Sequence, residues 1–329
     1  MKIGVTGAAG HIGNMVCRIL IDQGHQVRAF YHKEHDALIG LDLELMQGDV
    51  LNKEDVNKFV DGCDVVIHSA AIISIHGDPT GIVFRTNTEG PQNIIDACIN
   101  AGVKRLLHLS STHAVQELPL DQPFDETRPY KRKDQFPYDY SKACGEQIAL
   151  EAFRSGKLDG CVLRPSSVVG INDYKPSELG KALLDFYNRK IPVLPQGGYN
   201  FIDVRDVSQT IVNAIEKGRT GEIYLMSGKY YSLKELAAEV TKASGVKTPK
   251  LLLPFWFLKM ILPFVKLWGK ITKAAPVFTI EAITALKLGH PNMVNKKAVD
   301  ELGHKVRPLS ETLKDFYDWQ IQRGVLKKK

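Results

Sequence analysis

Short runs of aliphatic and β-branched residues alternate, through the first half of the chain, with stretches whose apolar positions recur every three or four residues. The runs predict strands over 2–6, 26–31, 44–47, 64–69, 105–111 and 160–164. The periodic stretches predict helices over 11–23, 53–60, 81–101 and 138–155. Such alternation argues for a parallel sheet covered on both faces. After Pro165 the pattern loosens, and Pro176, Pro192, Pro195, Gly197 and Gly198 cut it into short pieces. Helices over 204–216 and 233–243 flank a strand at 223–226, and 279–321 reads as mostly helical.

The first strand runs straight into Gly7, Gly10 and Gly13, spaced by threes, and then into a helix. Glycines between a strand and a helix let the backbone turn sharply and approach a ligand closely. The amides at the helix start then face an anion. A dinucleotide pyrophosphate is expected there, with the chemistry near the carboxyl ends of the strands. The fold class is therefore α/β, a Rossmann-type doubly wound parallel sheet with a smaller, mostly helical C-terminal substrate lobe. The dinucleotide-binding domain is expected over 1–165, with 200–228 returning to it. The lobe takes 166–199 and 229–329.

Composition narrows the partners. The chain has 329 residues and a formal net charge of +6, part of it from Lys327, Lys328 and Lys329. It lacks a basic stripe with interleaved aromatics, so nucleic acid is not an expected partner. The cysteines Cys17, Cys63, Cys98, Cys144 and Cys161 are odd in number and scattered. They lack metal-ligand spacing and read as thiols in a reducing compartment, with no metal expected. Met1 leads directly into a strand, which points to a cytoplasmic protein without a signal peptide.

The segment 251–268 stands apart, with Phe255, Trp256, Phe257, Ile261, Leu262, Phe264 and Val265. A membrane span needs roughly 20 nearly uninterrupted apolar residues. Pro254, Lys259, Pro263 and Lys266 interrupt this one. A buried helix pair, the apolar wall of a substrate pocket and an interfacial helix at a membrane surface are the three readings, the last weighted lowest.

Tyr138 and Lys142 lie four apart on a predicted helix and share a face. A cation near a phenol stabilises the phenolate and makes the group a usable acid or base. Ser110, Ser111 and Thr112 end the preceding strand, where a hydroxyl could hold a substrate carbonyl oxygen beside the phenol. Tyr140 is a competing phenol, but Cys144 rather than a lysine lies four residues on.

With these residues in view, the chain resembles an extended short-chain dehydrogenase/reductase, of the NAD-dependent epimerase/dehydratase family. The matching stretches are Thr6-Gly-Ala-Ala-Gly-His-Ile-Gly13, Gly48-Asp49-Val50, His68-Ser-Ala-Ala71, Asn87-Thr-Glu-Gly90, Leu109-Ser-Ser111, Tyr138-Asp-Tyr-Ser-Lys142 with Glu146, Leu163-Arg-Pro165 and Val204-Arg-Asp-Val207. They follow the family's order over the first two-thirds of the chain. The resemblance implies Tyr138 as general acid/base, Lys142 on the nicotinamide ribose and lowering the phenol's pKa, and Ser111 orienting the carbonyl, with Thr112 as the alternative register. It implies a cofactor cradle of Thr6, Gly7, Ala9, Gly10, His11, Ile12, Gly13, Val50, Ser69, Ala70, Ala71, Pro165 and Val168, joined by Tyr138 and Lys142. Asp49 would take the adenine amino group.

An acid ending the second strand would bind the adenosine ribose and reject a 2′-phosphate. Here Tyr31 stands in its place, followed by His32 and Lys33, which favours NADP(H) over NAD(H). Dehydratases of the family carry an Asp-Glu pair after the catalytic hydroxyl, where this chain has Thr112 and His113. Sugar-nucleotide epimerases need a cationic clamp; Lys175, Lys181, Arg189 and Arg205 are the available cations. The stretch 201–206 and the apolar 251–268 segment look more like the dihydroflavonol 4-reductase and 3β-hydroxysteroid dehydrogenase branch. The expected activity is hydride transfer between NADP(H) and a largely apolar ketone, aldehyde or secondary alcohol. The alternatives are a sugar-nucleotide epimerase with bound NAD and a nucleotide-sensing protein. A monomer and a homodimer are both compatible with the sequence.

Overall fold

The computed structural model describes residues 1–257, 260 and 280–328. Its centre is a seven-stranded sheet built from β1 (Lys2–Thr6), β2 (Gln26–Tyr31), β3 (Glu44–Gln47), β4 (Val65–His68), β5 (Arg105–Leu109), β6 (Gly160–Pro165) and a later strand, Ile223–Met226. All pairings in it are parallel. The spatial order is β3-β2-β1-β4-β5-β6, with Ile223–Met226 outside β6. The order reverses between β1 and β4, which opens a crevice above their carboxyl ends.

Helices α1 (His11–Asp22), α2 (Lys53–Val60), α3 (Ile82–Ala101) and α4 (Pro137–Arg154) cover the sheet. Each forms for a local reason. The side chain of Asn52 caps α2 by accepting from the amides of Glu54 and Asp55. Gly102 closes α3 in the left-handed conformation. Pro137 opens α4 at a position where its missing N–H costs nothing. The apolar face of α1 buries Met15, Val16, Cys17 and Leu20 against β1 and β2 residues such as Ile3, Val5 and Ala29.

Helix α4 meets α3 at very short range. A Cβ on Gly145 would lie 2.2 Å from the carbonyl oxygen of Asn87, so the two backbones approach as only glycine allows. Farther along α4, Glu146 and Arg164 of β6 form a buried ion pair, 0% and 1% exposed. Arg164 Nε donates to both Glu146 oxygens at 3.1 and 2.9 Å, and Tyr130 donates its hydroxyl to Glu146 Oε1 at 2.9 Å. This pairing fixes the rotation of α4 over the sheet.

Beyond β6 the chain adds β7 (Ser167–Val169), α5 (Glu178–Tyr187), β8 (Leu194–Pro195), β9 (Gly198–Asp203) and α6 (Val204–Lys217). Ile223–Met226 is then β10, followed by β11 (Lys229–Ser232), α7 (Leu233–Ser244), β12 (Leu252–Leu253), α8 (Ile280–Lys287), α9 (Lys296–Leu302) and α10 (Leu309–Gln322). A three-stranded sheet, β11-β9-β7, packs with α5, α7 and α10 around Leu183, Phe186, Phe201, Leu236, Phe316 and Tyr317. Of the apolar 251–268 segment, Leu252–Leu253 pairs with Leu194–Pro195, and Trp256 is 67% exposed. The rest, 258–259 and 261–268, lies outside the described residues. None of the described helices is long and apolar enough to cross a membrane.

Strand boundaries differ from the expectation in one informative place. β5 stops at Leu109 instead of continuing to 111. Ser111 caps a short 3-10 turn, Thr112–Ala114, by accepting from the amide of His113 at 3.1 Å. The side-chain bond gives the backbone an alternative to the ladder, and it turns the hydroxyls out of the sheet.

The glycine turn makes a stability prediction. A Cβ on Gly13 would lie 2.2 Å from the Gly7 carbonyl oxygen and 2.9 Å from Ala8 Cα, whereas one on Gly10 would meet only the Gly7 oxygen, at 3.1 Å. Gly13→Ala is expected to lower stability by about 1–3 kcal/mol through overpacking. Gly10→Ala should cost clearly less, and thermal melting of the two variants side by side checks the order.

Candidate active site

The expected cofactor residues converge on the crevice. Thr6 ends β1, and its hydroxyl accepts from the amides of Ser69 and Ala70 at 3.2 Å each while lying 2.7 Å from Nδ1 of His68. With both amides donating to it, the threonine gives its own proton to His68. Burial holds His68 down to about 3, so it stays neutral. Ser69 Oγ returns a bond to the Thr6 carbonyl at 2.6 Å. Gly7 takes a φ of +64°, and a Cβ there would lie 2.8 Å from Ala70 Cα and N. The ends of β1 and β4 are thus laced together, with Ala70 and Ala71 following.

The start of α1 fits an anion. Gly10 is its exposed N-cap, no side chain caps it, and the first turn holds no acid. Ala9 and Ile12 are partly buried at the turn, and His11 Nε2 lies 2.9 Å from the Ile171 carbonyl. Asn14 donates to the carbonyls of Gly10 and Asn172 at 2.7 and 3.0 Å, tying the turn to the segment after β7. Pro165 ends β6 and Val168 lies in β7, the strand that follows it.

At the adenine end, Asp49 follows β3 and accepts from Leu51 N at 2.9 Å. Its other oxygen lies 3.7 Å from His32 Nε2. Val50 beside it is buried, packed against Gly90. Lys33 is exposed and makes no ion pair among the described residues.

Tyr138, Lys142 and Ser111 come together. The Ser111 hydroxyl lies near enough to the Tyr138 phenol to favour its ionised form. Lys142 is buried one turn along α4, and its Nζ donates to the Leu109 carbonyl at 2.7 Å. Tyr140 lies elsewhere, stacked on Phe84 with ring centroids 5.6 Å apart. One expectation is corrected. Burial pushes the Tyr138 phenol up rather than down; the nearby Ser111 hydroxyl opposes the rise, and the carboxylate of Asp139 adds to it. Lys142, engaged with the Leu109 carbonyl, is itself pushed down to about 8 by burial, against the opposing charge of Glu146.

Five side chains outside the expected catalytic set surround it. Asn87 accepts from Ile72 N at 2.9 Å and donates to the Ile72 carbonyl and to Ser141 Oγ at 3.0 and 2.9 Å. It therefore braces α4 against the loop after β4. Asp139, next to Tyr138, lies 3.2 Å from His113 Nδ1 and 3.6 Å from Lys131 Nζ. Lys131 also pairs closely with Glu117. His113, Glu117 and Asp139 each bring a donor atom within 4.8 Å of the others, but the Lys131 ammonium answers both carboxylates from within the chain. The sequence signal for this cluster was the histidine directly after the strand-end hydroxyls.

Comparison with known proteins gives the family and the fold. The NAD dependent epimerase/dehydratase family profile matches residues 3–227. A putative dihydroflavonol 4-reductase of Synechocystis sp. is 30% identical over 98% of this chain and 95% of its own length. Sterol demethylase protein B of Methylococcus capsulatus is 31% identical over 76% of both chains. The crystal structure of gox2253 superposes with a TM-score of 0.85 at 29% identity, covering 99% of each chain. A UDP-glucose 4-epimerase from Thermotoga maritima shares the fold, with a TM-score of 0.79 at 19% identity over 99% of this chain and 100% of that one. The chain belongs to the NAD-dependent epimerase/dehydratase family, the extended short-chain dehydrogenases/reductases.

Proposed function

We propose that the protein is an NADP(H)-dependent oxidoreductase acting on a largely apolar ketone or aldehyde, or on the corresponding secondary alcohol. The observation that carries this reading is the phenol of Tyr138 beside the Ser111 hydroxyl, with buried Lys142 one turn along the same helix. When bound, the cofactor supplies or accepts the hydride. Ser111 and Tyr138 hold the carbonyl oxygen, and Tyr138 passes its proton to the oxygen as charge develops there. A phenol pushed up by burial remains protonated at neutral pH and is ready to serve as the acid. Lys142 takes the hydroxyls of the nicotinamide ribose, and its charge steadies the phenolate that forms.

The substrate side supports an apolar ligand over a sugar nucleotide. Arg205, a candidate clamp for a pyrophosphate, is held by Asp203 and Asp315 at 2.8 and 2.7 Å. Lys175 and Lys181 pair with Glu34 and Glu178 at 3.1 and 2.7 Å. The relatives that match across most of the chain include the putative dihydroflavonol 4-reductase and a mouse 3 beta-hydroxysteroid dehydrogenase type 7. The epimerase neighbours support the fold alone.

Tyr138→Phe should retain NADPH binding and lose at least ~100-fold in kcat, the usual scale for a positioned proton donor. Fluorescence titration with NADPH and an absorbance assay over aromatic ketones, aliphatic aldehydes and steroids read the two halves; undiminished turnover overturns the mechanism.

Selectivity for a 2′-phosphate rests on His32 and Lys33. Lys33→Glu is expected to weaken NADPH at least ~5-fold, on the order of a kcal/mol for an exposed charge contact, and to leave NADH little changed. An equal effect on both cofactors would remove Lys33 from that role.

The lowered Lys142 sets a pH limit. Its ammonium is fully present well below about 8 and is lost as pH rises through that value. The phenol stays protonated over the same range because its own value is raised. The pH profile of kcat/KM, which reports the free enzyme, should fall above about 8; a flat profile to pH 10 would contradict it.

A further inference from the structure

The cleft between the main sheet and the C-terminal lobe holds a donor that hydride transfer does not use. Thr112 and Ser166 line one end of it, the first directly after Ser111 and the second directly after Pro165, which ends β6. Phe124, Leu288 and Met293 give it apolar walls, and Asn200 of β9 faces into it. Strand parity explains the placement. Phe201 packs into the core of the lobe and Ile202 into that of the main sheet, so Asn200 shares the face of Ile202 and lies over the end of β6.

The amide of Asn200 is only 4% exposed, and its neighbours fix which way round it stands. The Gly228 amide donates to Ser166 Oγ at 3.4 Å, and Ser166 passes its own proton to Asn200 Oδ1 at 3.3 Å. That row of donors assigns Oδ1 to the Ser166 side and Nδ2 to the other. Nδ2 has no hydrogen-bond partner among the described residues. A donor so nearly buried is costly to leave unmatched, and a ligand oxygen that meets it removes the cost. The charged groups of the cleft are already engaged, Glu117 with Lys131 and His113 with Asp139. The hydroxyl of Thr112 can give or take a hydrogen bond, whereas Nδ2 only donates, so Nδ2 decides what kind of atom fits beside it.

We propose that Asn200 is a specificity-determining residue whose Nδ2 donates to a second oxygen of the substrate, remote from the reacting carbonyl. The substrate class is then a largely apolar ketone or aldehyde bearing a further carbonyl, ether or hydroxyl oxygen. This rests on the reading that Ser111 and Tyr138 hold the reacting oxygen, with the rest of the molecule extending past Thr112 into the cleft. Apolar walls set how deep such a ligand sits but leave it free to turn. A second pinned oxygen stops the turning, so the same face of the carbonyl meets the nicotinamide each time.

The test uses NADP⁺-loaded protein and matched ligands: cyclohexanone against cyclohexane-1,4-dione and 4-hydroxycyclohexanone, and 4-phenylbutan-2-one against 4-(4-methoxyphenyl)butan-2-one. Dissociation constants are read by ligand-observed NMR, with NADPH oxidation by the same ketones followed in parallel. The wild-type protein is expected to bind the doubly oxygenated member of at least one pair at least ~5-fold tighter, the scale of one neutral hydrogen bond. Asn200→Leu should lose that ratio. Asn200→Asp replaces the donor by an acceptor and should move the preference from the dione to the hydroxyketone, a reversal that a misfolded protein does not produce. A preference lost in Asn200→Leu while no ketone oxidises NADPH supports this proposal and removes the reductase reading. Equal affinity or no binding across the pairs, or a preference that survives in Asn200→Leu, overturns it, and continued NADPH oxidation then leaves the reductase reading standing. A variant that weakens NADP⁺ and keeps the wild-type ratio also overturns it, since Asn200 would then serve the cofactor.

Discussion

The buried pair of Glu146 and Arg164 is the constraint on which the site depends. Tyr138, Lys142 and Glu146 are spaced by four along α4 and share one face. Fixing Glu146 against β6 fixes the rotation of the other two. Lys142 then faces the Leu109 carbonyl, and Tyr138 faces Ser111. Arg164 Nη1 also donates to the Glu126 carbonyl at 3.1 Å, and Glu126 accepts from Leu225 N in β10 at 3.0 Å. One ion pair thus joins α4, β6, β10 and the loop before α4. Such a pair is weak evidence for stability, because desolvation offsets much of its attraction. Its use is geometric: removing either partner leaves an unpaired buried charge, at a cost of about 3–5 kcal/mol.

Packing α4 this tightly has an electrostatic consequence. The same burial that positions Tyr138 and Lys142 pushes the phenol up and the ammonium down, since each is deprived of water in its charged form. The nearby histidines His68 and His108 are both held neutral by burial, with Lys142 adding to the effect. The charge that remains on the crevice floor is therefore that of Lys142.

Most of the fold was legible in the chain's periodicity. Strands buried on both faces leave unbroken aliphatic runs, and β1, β2, β3 and β10 begin and end where those runs do. The glycine turn was legible because close backbone approach demands glycine, as the contacts of Gly7 and Gly13 illustrate. The residues of the proposed site could be placed along the chain, but not their electrostatics. Spacing puts Lys142 on the face of Tyr138, yet it cannot say that Lys142 Nζ is engaged by a carbonyl or that burial outweighs its charge. The cluster of His113, Glu117, Lys131 and Asp139 was signalled only by the histidine after the strand-end hydroxyls. Its members come from a turn, two loop positions and a helix, and no period links them.

That cluster also bears on what the cleft selects. The described cations near the substrate side are largely committed inside the protein: Arg205 to Asp203 and Asp315, Lys131 to Glu117 and Asp139, Arg128 to the carbonyls of Pro119, Gln122 and Pro123. A pyrophosphate would have to displace carboxylates already in place, some of them fully buried. Phe124, Leu288 and Met293 give the cleft apolar surface at no such cost. In the proposed reading, affinity is drawn from burying apolar area, at about 25 cal/mol per Å². In the same reading, orientation is left to the hydroxyls of Ser111 and Tyr138. A ligand held mainly by shape can slide unless its reacting oxygen is pinned, and this is why the hydroxyl pair must sit on elements as rigid as a sheet end and a clamped helix.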